Sequence, residues 1–193
     1  MEELFAPTSN LQYEQIRLEN ALRRRLIYLT DEINEDTVFE IIYLLDRIIA
    51  LDKLLETKEP ITIRLRTVGG SVNHGLGLIG KIERMKRDGY EIICESEGMV
   101  ISMGVPIMVS CSKRYGHEYD MYLIHNVAGG VQGTLPTMKN YLEESKRLEE
   151  ICNDIIVKNT KITKKKIESK TSGLDWYIGS KEALELGLID EIL

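Results

Sequence analysis

An α/β domain with mostly parallel strand pairing is the fold class that this sequence predicts. Two observations carry the prediction. Short apolar runs, one of them with strict period-two alternation, take turns along the chain with stretches whose apolar residues recur at steps of three and four. The chain has 193 residues, 43 % of them apolar, which suits one globular domain able to bury a core without disulfide staples.

The elements follow in order. Residues 1 to 10 read as a flexible start, and "LQYEQIRLENALRRRL" has mixed helical character. The short run "LIYL", residues 26 to 29, begins the sheet. Val38, Ile41, Ile42, Leu45, Ile48 and Ile49 then recur at helical steps and define an amphipathic helix, with Asn34 and Asp36 as candidate caps. "PITIRLRT" sets Ile61, Ile63 and Leu65 against Thr62, Arg64 and Arg66, a strand pattern ending in "VGGSV". A glycine-tolerant helix stopped by Gly89 and a strand at "YEIICE" come next. "GVPIMVSC" reads as extended or buried structure, and "YDMYLIHNV" is a further apolar run ending near His125. "GGVQG" breaks the chain. Beyond it Met138, Tyr141, Leu142, Leu148, Ile151, Cys152, Ile155 and Ile156 form one stripe, predicting a helix of about seven turns. That length suggests a helix that projects and packs against something, such as another subunit. Lys164, Lys165 and Lys166 read as a solvated face in a basic loop or short helix. A helix ended by Gly187 and a short last strand close the chain.

Composition excludes several function classes. A formal net charge of -6 argues against a general affinity for nucleic acid. No apolar run reaches the roughly 18 to 20 residues needed to span a bilayer, and the acidic N-terminus lacks the layout of a signal peptide. Cys94, Cys111 and Cys152 are widely spaced with no CxxC, as expected of reduced core thiols in a cytoplasmic protein. No cluster has metal-ligand spacing and no phosphate-cradling GxxxxGK[ST] occurs, so neither metal nor cofactor is expected.

Chemistry has few candidates. Ser102 stands among glycines and methionines in "EGMVISMGVPIM". A serine is a poor nucleophile unless a base takes its proton. Of the three histidines, His117 lies in a polar stretch and His74 at a helix start, while His125 ends an apolar strand at a sheet edge. The residues alone leave His125 between a catalytic base and a structural histidine. Asp175 precedes the apolar triplet Trp176, Tyr177, Ile178 and is either a carboxylate held against a histidine or a turn aspartate. Gly69 and Gly70, at a strand-to-helix turn, can offer backbone N–H groups to an oxyanion or serve conformation alone. "VGGSVNHG" is no GxGxxG fingerprint, and Val100 rules out the GxSxG elbow around Ser102.

The segments "TVGGSV", "MVISMGVPIM", "MYLIHNVAGGVQG" and "LDWYIGSKEALELGLIDEI", in that order, resemble the proteolytic subunit of the Clp (caseinolytic) protease family. The resemblance runs from "YEQIRLENALRRRLIYL" to the C-terminus. It implies a crotonase-like βαβ superhelix spanning one domain over residues 1–193, with a projecting handle over about residues 126 to 160. It implies a serine endopeptidase acting on unfolded polypeptides or peptides in a ring chamber. Ser102 then matches the nucleophile, His125 the base, Asp175 the orienting carboxylate, and Gly70 and Met103 the oxyanion-hole N–H groups. It also implies heptameric rings paired as a tetradecamer and a Clp ATPase (AAA+ unfoldase) as feeder. The same fold serves catalytically idle assembly subunits and crotonase-type acyl-CoA enzymes, the competing classes. The sequence departs from the family pattern where Arg66, Thr67 and Val68 replace Asn-Ser-Pro, and where Asn126 and Val127 replace Gln-Pro. The loop before Ser102 is a few residues longer than usual. These departures suit a divergent or phage-type member.

Overall fold

The structure, a computed structural model, describes residues 10–193. The flexible start expected over residues 1 to 10 therefore lies outside the described residues, except for Asn10, which opens a helix. Helix α1 (Asn10–Arg24) leads into strand β1 (Leu26–Leu29). Arg25 makes the turn between them at φ 53°, and its guanidinium grips the buried carboxylate of Asp52 through two bonds of 2.7 and 2.8 Å. Helix α2 (Glu35–Leu55) starts at Asn34, whose side chain accepts the Thr37 N–H while the Thr37 hydroxyl accepts the Asn34 N–H, both at 3.0 Å. Such a reciprocal cap satisfies two donors that the first turn leaves unpaired. Asp36 sits in that first turn and does not cap.

Strand β2 (Ile61–Thr67) buries Ile61, Ile63 and Leu65 and leaves Arg64 to pair with Glu95 and Glu97 on the other face. Helix α3 (Val72–Arg87) begins at once, capped by the Ser71 hydroxyl. Strand β3 (Ile92–Ile101) follows, then helix α4 (Gly104–Val109), strand β4 (Lys113–Gly116) and strand β5 (Met121–Ile124). Helix α5 (Leu135–Asn159), helix α6 (Lys164–Thr171), strand β6 (Trp176–Gly179), helix α7 (Ser180–Leu186) and strand β7 (Glu191–Ile192) complete the chain.

The strands form one seven-stranded sheet of order β1-β2-β3-β4-β7, with β5 also on β3 and β6 on β5. All pairings are parallel except β5 with β6. The fold is thus mixed α/β with a mostly parallel sheet, as expected. The core lies between the sheet and the helices, with Ile41, Leu45 and Ile48 of α2 and Leu78 and Ile82 of α3 packed with Ile61, Ile63 and Leu65. Among the described residues no helix is long and apolar enough to cross a membrane.

Strand β3 forks. Its first half pairs with β4 through Ile93, Cys94 and Glu95, and its second half with β5 through Met99, Val100 and Ile101. The buried carboxylate of Asp120 fills the gap between the branches. It accepts the Ser96 hydroxyl at 2.6 Å, the Gly98 N–H at 2.6 Å and the His117 N–H at 2.8 Å. A buried charge is tolerable only when its oxygens are satisfied in this way.

Three expectations need correction. Of the two readings of "GVPIMVSC" the buried one holds and the extended one does not: residues 104–109 form helix α4 and all six are buried. A run apolar on every side has no period to distinguish helix from strand. The "YEIICE" strand continues through Gly98 to Ile101, because β2 and β5 flank its second half. The lysine run opens a short helix, one of its two expected forms, but is only partly the solvated face expected. Lys164 pairs with Glu150 at 2.8 Å, and the Lys166 ammonium stands 5.5 Å from the Trp176 ring centre, a cation–π distance.

Helix α5 changes character along its length. Its first half leaves Leu135, Met138, Tyr141 and Leu142 exposed at 66, 42, 38 and 54 %, while Ile156 near its end is buried. The apolar stripe therefore runs off the core of this chain.

Candidate active site

Parallel strands place their C-terminal ends on one side of a sheet, and the loops there meet. Strands β2, β3 and β5 end side by side, with Ile101 of β3 opposite Leu123 of β5. Gly69 and Gly70 follow β2, Ser102 follows β3, and His125 follows β5. The alternation of elements thus brings distant candidates to one place. Gly70, Ser102, Met103 and His125 all line a cavity of about 250 Å³. Its other walls are mainly apolar: Val68, Val72, Pro106, Ile124 and Ile156.

Ser102 turns the chain from β3 into α4 with φ 56°, the left-handed region that a residue with a Cβ rarely enters. Its N–H donates to Leu123 O at 2.9 Å and its carbonyl accepts the Val105 N–H at 3.0 Å, so both backbone groups are engaged and the hydroxyl is directed by the turn. The glycine turn packs onto it. A Cβ on Gly69 would stand 2.6 Å from Ser102 Cβ, and one on Gly70 would overlap the Ile33 carbonyl. Both glycines also have positive φ, 90° and 140°. Their presence is therefore dictated by sterics as well as by conformation.

The neighbours of these turns fix their N–H groups. Gly69 N–H goes to the Thr67 hydroxyl at 3.0 Å, and Ser71 N–H goes to Ile33 O at 2.7 Å. Among the described residues the Gly70 and Met103 N–H groups have no acceptor, and both residues line the cavity. Two unspent donors beside a serine hydroxyl are what a developing oxyanion needs.

His125 Nδ1 lies 3.9 Å from Asp175 Oδ1, with the side chains 27 and 51 % exposed. That is an electrostatic contact longer than a hydrogen bond. Among the described residues no hydrogen bond joins the Ser102 hydroxyl to His125, although both line the cavity. Asp175 reaches His125 from the start of β6, the antiparallel neighbour of β5. The loop after His125 is held from two sides. Asn126 Nδ2 donates to Thr171 O at 3.1 Å, and Val127 N–H donates to Glu149 Oε2 at 2.9 Å.

The remaining histidines stand apart from the cavity. His117 gives its N–H to Asp120 and approaches Glu95 at 3.4 Å. His74 gives its N–H to the Ser71 cap, and its Nδ1 is buried without a partner among the described residues. Cys152, expected as a core thiol, is half-buried and lines the cavity. Burial, reinforced by the Glu149 charge, pushes its pKa up to about 11, so it stays a thiol at neutral pH.

Two residues that shape the site escaped sequence reasoning. Thr67 is buried, and its hydroxyl donates to Asp31 O at 2.6 Å while accepting the Gly69 N–H. Glu149 reaches the loop after His125 from α5. A polar residue two positions before a glycine pair is a signal of sorts for Thr67. Glu149 is one of many carboxylates on a charged helix and offers none.

The fold and site together define an α/β protein with a polar cluster at the carboxyl ends of parallel strands. A family model described as Clp protease matches residues 10–193. The chain belongs to the Clp protease family, a family of peptidases.

Proposed function

We propose that this chain is a serine endopeptidase that cleaves peptides and unfolded polypeptides inside a ring chamber built from copies of itself, in a crotonase-like subunit. Ser102 Oγ attacks the scissile carbonyl as His125 takes its proton, and Asp175 orients the imidazole and stabilises its charge. The negative charge on the carbonyl oxygen falls to the N–H groups of Gly70 and Met103. His125 then returns the proton to the leaving amine. Water, deprotonated by the same histidine, releases the acyl group and restores Ser102. The observation that carries the reading is the convergence of a serine in a left-handed turn with two unspent N–H groups and a histidine in one cavity.

Purified Ser102→Ala tested on a fluorogenic peptide should lose turnover and keep its fold, because the nucleophile is gone. Hydrolysis at the wild-type rate would overturn the assignment.

One observation favours a second reading, an assembly subunit with an idle site. The 3.9 Å gap between His125 and Asp175, with no Ser102–His125 hydrogen bond among the described residues, suits a site not set for catalysis. Labelling of the assembled protein with a fluorophosphonate separates the two, since only an activated Ser102 reacts. Pairing of heptameric rings into a tetradecamer, and feeding by an AAA+ unfoldase, belong to the same proposal. The exposed apolar half of α5 supports the ring pairing.

A further inference from the structure

Strand β5 ends at Ile124, and the segment that continues from His125 has no regular structure before α5 begins at Leu135. Its anchors come from other elements. Asn126 is tied to Thr171 at the end of α6, and Val127 is tied to Glu149. The second tie is the stronger, because a carboxylate accepting a backbone N–H makes a charge-assisted bond about twice as strong as a neutral one. A proline at 127 would have no N–H to give, whereas valine does.

Glu149 occupies a particular place on α5. Leu142, before it, is 54 % exposed, and Ile156, after it, is 2 % exposed. Glu149 thus lies where the helix passes from its free half to its packed half. One turn further on, Cys152 lines the same cavity as Val127 and His125. The wall of the cavity and the loop bearing the histidine are joined here by a single carboxylate.

We infer that Glu149 is a positioning residue that ties α5 to the His125 segment, so that whatever moves the free half of α5 is felt at the histidine. The inference rests on the reading of His125 as the general base. Glu149 touches neither substrate nor the reacting atoms and acts only through the Val127 N–H.

The test uses the intact, assembled chain with Glu149→Gln, whose carbonyl still accepts, and Glu149→Leu, which cannot. Hydrogen exchange of the segment 125–128 is measured beside kcat and KM for a fluorogenic peptide. Glu149→Leu should speed exchange of that segment and lower kcat about tenfold with KM within about twofold, and Glu149→Gln should restore most of both. Should Glu149→Leu not fold, Glu149→Asp keeps the charge on a side chain too short to reach, with the same expectation. Unchanged exchange in the variant that lacks the bond overturns the inference, whether or not the protein hydrolyses peptides. Faster exchange together with hydrolysis that survives Ser102→Ala instead overturns the peptidase reading and leaves the tie standing.

Discussion

Ser102 is held at φ 56°, a conformation that costs a residue with a Cβ roughly 1–2 kcal/mol. The cost is borne because Leu123, Val105 and the bare Cα of Gly69 leave the backbone no other path. Thr67 has a comparable part on the opposite turn. Its hydroxyl links Asp31 O to Gly69 N–H, and its methyl lies where a Cβ on Gly104 would come within 2.5 Å. It therefore sets the separation between the turn bearing Gly70 and the turn bearing Met103. Thr67→Val keeps the shape and removes both bonds. We expect kcat/KM to fall about 10- to 100-fold, in line with a misplaced oxyanion donor, and Thr67→Ser to recover most of it. Steady-state kinetics on the two variants check this, and equal rates would reject the role. Ser102, His125 and Gly70 were legible as candidates because chemistry restricts which residue types can serve. Thr67 and Glu149 were not, because the aim of a hydroxyl or a carboxylate is set by tertiary neighbours.

At the scale of elements, the alternation of "PITIRLRT" and the helical stripes of α2 and α5 were readable because each has one wet face. Helix α4 was not, being buried all round, and β4 was hidden in a polar stretch whose pairing is decided by β3 and β7. Arg114 on β4 shows what such a strand holds together. It bonds Asp190, just before β7, at 2.6 and 3.0 Å, and its other nitrogen reaches Asn159 O at the end of α5 at 2.8 Å. Partial burial works to raise the Asp190 pKa, but the hydrogen bonds and charge of Arg114 outweigh it and hold the carboxyl below its ordinary value. A depressed carboxylate contributes stability above its unfolded pKa and loses it as pH falls through the folded value. Asp190→Asn should therefore lower stability at pH 7 and flatten the acid side of the stability curve below about pH 4. Urea unfolding from pH 2 to 7 measures this. An unchanged slope would remove the clip from the account.

The whole molecule leaves much apolar surface unspent. Leu135, Met138, Tyr141 and Leu142 stand exposed along about the first two turns of α5, and Phe39 and Tyr43 of α2 are exposed at 71 and 47 %. We propose that further copies of the chain cover this stripe where it outruns the core. We expect light scattering at micromolar concentration to give a mass many times that of one chain, and Leu142→Glu to reduce it. A wild-type monomer would sink the ring proposal.

The fork in β3 has a bearing on how the cavity behaves. Ser102 and His125 leave neighbouring strands bonded edge to edge, and the knot at Asp120 locks the point where those strands part. Serine and histidine therefore travel together as cargo on one stiff ribbon. Asp175 directly precedes β6, which bonds to the other edge of β5, and its side chain is half in solvent, two residues after Gly173 at φ 75°. We expect heat to loosen the exposed Asp175 side chain before the paired backbones that carry Ser102 and His125.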